Sequence, residues 1–235
     1  LSETEDSMDL FMERLSQAPA FKYILLATKI FFENYLETSK KGTPSKIDIG
    51  PINTFISGNY VDGTRFRFGG ATTAALNPHL FVNGWGAYGL KDKRWKYAGE
   101  LTYSFNKREF FPWEFPMHNI SFSYRNDVES PMDKFLDTDK DNVFVSLKAF
   151  DVDLMSYVRE GKFTYQYETY GGLGLNLSAQ RRNEKPAGKL EFIRNNDIQE
   201  TVKDITSSEI SFKLRYSPGE SYINTKQRRK PINRD

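Results

Sequence analysis

The sequence predicts a mainly β fold: an antiparallel transmembrane β-barrel, partial in this chain, with about eight to ten strands behind a short helical N-terminal segment. Three observations predict it. Aromatic residues make up 15% of the 235 residues, yet mean hydropathy is −0.62. Several long stretches alternate apolar and polar residues with a period of two. The clearest of them carries aromatics at both ends. A helical membrane protein would be apolar overall; a membrane barrel need not be, because half of each strand faces a polar interior. The competing reading is a soluble or peripheral β-sheet module that binds a ligand through an aromatic face.

Two regions follow from the texture of the chain: a helical segment over 1–43 and a barrel region over 44–235. In the first, Phe21, Ile24, Leu25, Thr28, Phe31 and Phe32 recur near helical spacing, and a shorter helix over 9–17 is set off by Pro19. Lys22, Lys29 and Glu33 interrupt the apolar stretch, which is too short and too charged for a helical span. The opening Leu1-Ser2-Glu3 is not that of a signal peptide, so the chain is expected to be processed or cut from something longer.

The strand over 95–105 defines the pattern. Trp95, Tyr97, Gly99, Leu101, Tyr103 and Phe105 alternate with Lys96, Ala98, Glu100, Thr102 and Ser104. At about 3.3 Å per residue this stretch covers roughly 36 Å, or about 25 Å of membrane thickness at a tilt near 45°. Soluble strands average only about 5–6 residues. The longest pattern runs over 162–181, with Phe163, Tyr165, Tyr167, Leu173, Leu175 and Leu177 on odd positions. One long strand, bent at Gly171-Gly172, is expected there. Further strands are expected around Arg65–Phe68, 80–90, 119–125 and 209–216, with weaker ones over 47–56, 143–150 and 190–194. Lys91-Asp92-Lys93-Arg94 reads as a short turn, 183–188 as a short polar hairpin, and 129–142 as a long acidic loop.

Composition excludes several functions. A net charge of +2, from 33 basic and 31 acidic residues, gives no field for nucleic acid. Without Cys there is no disulfide framework or thiolate metal site. His79 and His118 are the whole histidine complement, too few for a histidine metal cluster, and their apparent loop or strand-start positions make no Ser-His-Asp set credible. No phosphate-binding glycine loop precedes a helix. Asp137-Thr138-Asp139-Lys140-Asp141-Asn142 spaces carboxylates like a calcium loop, but Asn142 and Lys148 stand where Gly and Glu are needed, so a solvated loop is expected. Lys226-Gln227-Arg228-Arg229-Lys230 reads as a solvated turn rather than a lipid-binding patch, and Phe110-Phe111-Pro112-Trp113-Glu114-Phe115-Pro116 as an interfacial anchor or packed loop. No catalytic residues, metal or cofactor are expected.

Two residue sets are the candidates for function. Arg65, Arg67, Lys96, Glu100, Glu168, Glu209, Lys213 and Arg215 are expected to face the barrel lumen. Unpaired, they would tune ion selectivity; paired, they would form a lattice that plugs a narrow barrel, and the paired arrangement is expected. Trp95, Tyr97, Tyr103, Phe105, Phe163, Tyr165 and Tyr167 are expected to face the membrane.

A family resemblance accompanies these patterns. Lys46-Ile47-Asp48-Ile49-Gly50-Pro51, then Gly58-Asn59-Tyr60-Val61-Asp62-Gly63-Thr64-Arg65-Phe66-Arg67-Phe68-Gly69, then Ala87-Tyr88-Gly89-Leu90-Lys91-Asp92-Lys93-Arg94-Trp95-Lys96-Tyr97 follow one another in a fixed order. The series resembles uncharacterised outer-membrane proteins of Bacteroidota that join a carboxypeptidase-regulatory-like β-sandwich to a C-terminal barrel. Ser208-Glu209-Ile210, Arg215-Tyr216 and Pro218-Gly219-Glu220 resemble a later part of that barrel. The β-sandwich has no counterpart in these residues. Asp62 stands where that family usually has Glu, and Ala71 lies where it has a basic residue nearby. The resemblance implies an outer-membrane location, with lipid, other outer-membrane proteins or further strands of the same protein as partners. It implies no substrate. The ending Pro231-Ile232-Asn233-Arg234-Asp235 reads as a turn before another strand.

Overall fold

The structure, a computed structural model, describes residues 34–40, 42–130, 152–195, 199–224 and 229–232. The two N-terminal helices, the acidic 131–142 segment with its calcium-like spacing, the 143–150 strand and most of the basic run lie outside the described residues. The described part of the N-terminal segment is not helical; it forms a two-residue strand and a turn.

In chain order the strands are β1 (Leu36–Glu37), β2 (Ile47–Ile49), β3 (Ile56–Asn59), β4 (Gly63–Thr72), β5 (Leu80–Gly89), β6 (Trp95–Ser104), β7 (His118–Glu129), β8 (Leu154–Glu168), β9 (Leu173–Gly188), β10 (Phe192–Asn195), β11 (Gln199–Val202), β12 (Ile205–Tyr216), β13 (Ser221–Asn224) and β14 (Arg229–Ile232). A short 3-10 turn, Ile52–Thr54, separates β2 from β3, so the weak strand expected over 47–56 is really two. The fold is mainly β and antiparallel. One ten-stranded sheet runs β1-β2-β4-β5-β6-β7-β8-β9-β12, with β3 also paired to β4. The pairs β10-β11 and β13-β14 are separate two-stranded sheets. Among the described residues the sheet does not close into a barrel: β1 pairs only with β2, and β12 only with β9.

Two sequence expectations are corrected. The 162–181 pattern is a hairpin, β8 and β9 joined through 169–172, rather than one bent strand. Gly172 makes the turn possible: its φ is +85°, and a Cβ there would stand 2.5 Å from the Ser217 carbonyl oxygen. The pattern hid the turn because residues pair odd to odd, Tyr165 with Leu177 and Tyr167 with Leu175. A hairpin in that register keeps every odd residue on one face, just as a straight strand would. The 183–188 segment, in turn, is no hairpin. It continues β9, where Glu184 pairs with Val158 and Lys185 with Tyr157.

Register gives the sheet two unlike faces. One lateral row is Val82, Leu101, Phe122, Phe163, Ala179 and Ile210 across β5 to β12; the next is Leu80, Tyr103, Ile120, Tyr165, Leu177 and Phe212. The opposite face carries Phe81, Thr102, Ser121, Thr164, Ser178 and Ser211, then Asn83, Glu100, Ser123, Lys162, Gln180 and Glu209. The apolar face is the exposed one. Trp95 is 68% exposed and Leu101 48%, whereas Lys96 is 2% exposed and Ser104 fully buried. Val61, Val128, Met155 and Ala187 form the buried apolar cluster. A water-soluble sheet buries its apolar face and hydrates the other; here the order is reversed.

Candidate functional site

The polar face is built in three parts, beginning at the β3–β4 turn. Asn59 pairs with Gly63, and the intervening Asp62 turns inward because Gly63 takes a φ of +65°. The Asn59 side-chain oxygen accepts from the backbone N–H groups of Val61 and Asp62, and its amide donates to Asp62 Oδ2 at 2.9 Å. Asp62 is thereby fixed with no exposed surface. Lys96 Nζ sits 2.5 Å from Asp62 Oδ1 and 2.6 Å from Asp92 Oδ2. Arg65 lies 3.3 Å from Asp62 and 2.6 Å from Asp127. The Tyr157 hydroxyl donates to Asp92. Arg67 stacks over the Trp85 ring at 4.2 Å, with Arg65 beside it at 5.0 Å. Such desolvated charges persist only when each has partners.

A second lattice crosses β7, β8 and β9, where Arg125, Glu160 and Arg182 pair laterally. Arg182 reaches three carboxylates: Glu129 at 2.7 Å, Glu160 at 3.0 Å and Glu184 at 2.7 Å. Arg125 adds contacts of 3.1 Å to Glu129 and 3.5 Å to Glu160. A planar guanidinium with five donors suits this fan of acceptors, which a lysine could not match.

The third part lies at the opposite end of β6. Residues 105–117 fold back so that the buried Arg108 donates to Ser104 Oγ at 2.7 Å, to the Glu114 and Pro116 carbonyls at 2.8 and 3.0 Å, and to Asn119 at 3.2 Å. Burial pulls the Arg108 guanidinium below its usual pKa. Glu114 accepts from the backbone N–H groups of Glu109, Phe110 and Phe111, closing the turn. The aromatic-proline cluster is therefore a hydrogen-bonded packed loop, with the Phe111 and Trp113 rings stacked 5.0 Å apart. Nearby, Glu168 pairs with Arg229 at 2.5 Å and accepts from the Met117 N–H.

Register places the candidate charges Arg65, Arg67, Lys96, Glu100, Glu168, Glu209, Lys213 and Arg215 on this polar face. It brings together fewer of them than their spacing suggests. Arg65 and Lys96 share Asp62, but Glu100 contacts Thr102 and Asn83, Glu209 accepts from Gln180, and Arg215 pairs with Glu220 at 2.5 Å. Glu209, Lys213 and Arg215 lie on exposed β12. Trp95, Tyr97, Tyr103, Phe105, Phe163 and Tyr167 are exposed on the opposite face, and Tyr165, on that face too, is half-buried. Sequence reasoning missed Asp92, Asp127, Glu129, Glu160, Arg182, Glu184 and Arg108. Continuing the even-numbered polar set of β9 past Gln180 would have found Arg182 and Glu184.

No family model, curated protein or solved structure matches this chain. Its geometry therefore defines a class rather than a relative: an antiparallel sheet with a buried ionic face and an exposed aromatic one.

Proposed function

We propose that this chain is the strand-bearing part of a bacterial outer-membrane β-barrel, akin to the Bacteroidota barrels it resembles, and that it serves transport or assembly without catalysing a reaction. One observation carries the proposal: along β6, exposed Trp95, Tyr97, Leu101 and Tyr103 alternate with buried Lys96, Thr102 and Ser104. Water cannot favour that choice of faces, because exposed contiguous apolar surface beyond a few hundred Å² is rare on soluble monomers. Hydrocarbon favours it, since side chains facing lipid gain by being apolar while the interior holds the polar groups. The interior cations Arg65, Lys96 and Arg182 are each matched by carboxylates. That pairing supports a filled, braced interior over an open ion-selective path. In lipid the free edge of β12 requires a partner strand, either from further strands of the protein or from another outer-membrane protein.

The proposal is tested by membrane fractionation of the full chain exported in a Gram-negative host. Retention in the outer-membrane fraction through a urea or alkaline wash is expected. Release into the soluble fraction by either wash would contradict it and favour the peripheral ligand-binding module.

A further inference from the structure

We infer that the cavity between the β5–β6 turn and the far ends of β7, β8 and β9 is a binding site for a phosphate group. The cavity measures about 450 Å³. Arg94, Arg159 and Lys185 line it together with Asn126 and with Asn183, whose amide donates to Asp204 and Thr206. Its other charged residues are already engaged. Lys96 is held by Asp62 and Asp92, and Asp127 by Arg65. Arg94 lies over the Tyr157 ring, 4.7 Å from its centre, which fixes the guanidinium without neutralising it. Among the described residues, Arg94, Arg159 and Lys185 make no ion pair, so three cations line one cavity whose carboxylate, Asp127, is already held by Arg65.

Arg159 and Lys185 share the odd-numbered register of Phe163 and Leu177, so they stand on the aromatic side of the sheet, and the polar face contrasts with them. Where the sheet needs only internal balance it supplies carboxylates generously, as around Arg182, which meets three. Two guanidiniums and an ammonium match a tetrahedral anion that offers several acceptor oxygens and more than one charge. A lone carboxylate would leave most of these donors unused.

Position indicates where the phosphate comes from. Trp95 lines the same cavity and is 68% exposed, at the end of the aromatic stripe of β6. An indole at that place is suited to the boundary between acyl chains and head groups. An anionic phospholipid head group reaching around Trp95 would meet the three cations, and a free phosphate ester would meet the same groups from water. The lipid source rests on the membrane reading; the anion site does not.

Calorimetric titration of the full chain in zwitterionic micelles with inorganic pyrophosphate is the first arm. Native mass spectrometry of the same micelles doped with phosphatidylglycerol, against phosphatidylcholine, is the second. The comparison protein carries Arg159→Gln and Lys185→Gln together; both residues are exposed, so its melting temperature should match the parent. Saturable pyrophosphate binding, weakened about tenfold or more in the variant, supports the site with a free anion sufficient. Selective retention of phosphatidylglycerol without pyrophosphate binding, lost in the variant, supports it with a lipid head group as ligand. Equal behaviour of parent and variant in both arms overturns it. Because the pyrophosphate arm does not depend on the membrane reading, failure of one proposal is distinguishable from failure of the other.

Discussion

Asp62→Ala is expected to destabilise the protein by about 3–5 kcal/mol, the usual cost of removing one partner from a buried ion pair. Asp62 has no exposed surface and answers two cations at once, Lys96 and Arg65. Its removal leaves Lys96 with Asp92 and Arg65 with Asp127, and strands the Asn59 amide that donated to it. Asp62→Glu keeps the charge but adds a methylene to a filled site, so an intermediate loss of about 1–3 kcal/mol is expected. A double variant with Lys96→Met tests the coupling. It should recover part of the loss, because it removes the cation left short of a partner. Denaturant unfolding in bilayers reads all three. Losses that simply add would mean that Asp62 and Lys96 do not act together.

The second large effect concerns the opposite face. Leu101→Arg is expected to cost about 2–4 kcal/mol in bilayers, the cost of a cation facing lipid near the midplane of a barrel. Leu101 stands near the centre of β6, between Val82 and Phe122 in its lateral row. An Arg there would also be damaging in a packed protein core, so a second substitution separates the two environments. Leu101→Phe overfills a packed core by about 1–3 kcal/mol. Acyl chains rearrange around a larger apolar side chain, so in lipid it should unfold close to the parent. A loss of that size for Leu101→Phe would place Leu101 against protein.

Much of this division of faces was legible in the residues themselves. The alternation over 95–105 separates Leu101 from Thr102 before any pairing is known, because a strand turns successive side chains to opposite faces. What alternation does not carry is connectivity. The β8–β9 hairpin keeps parity, so Phe163 and Leu177 read as one strand when they belong to two. Nor does it carry partners. Arg65 meets Asp127 from a strand 62 positions away, a contact set by the register of four strands together. Glu100, the carboxylate closest to Lys96 along its own strand face, instead takes Thr102 and Asn83. Arg108 was hidden for another reason. It sits in a loop, where no period exists, and two of its four partners are backbone carbonyls that any sequence possesses.

The exposed aromatic face is the centre of this account, and β6 allows it to be measured residue by residue. The chain has no cysteine, so a single substitution gives a unique thiol for a nitroxide label. Oxygen concentrates in hydrocarbon, whereas a polar nickel chelate stays in water. In bilayers, labels at Tyr97→Cys, Leu101→Cys and Tyr103→Cys should be relaxed strongly by oxygen and weakly by the chelate. Labels at Thr102→Cys and Ser104→Cys should be shielded from both, giving a period of two along the strand. Odd-numbered labels as open to the chelate as a label in free solution would contradict the lipid-facing assignment and leave a water-exposed aromatic surface in its place.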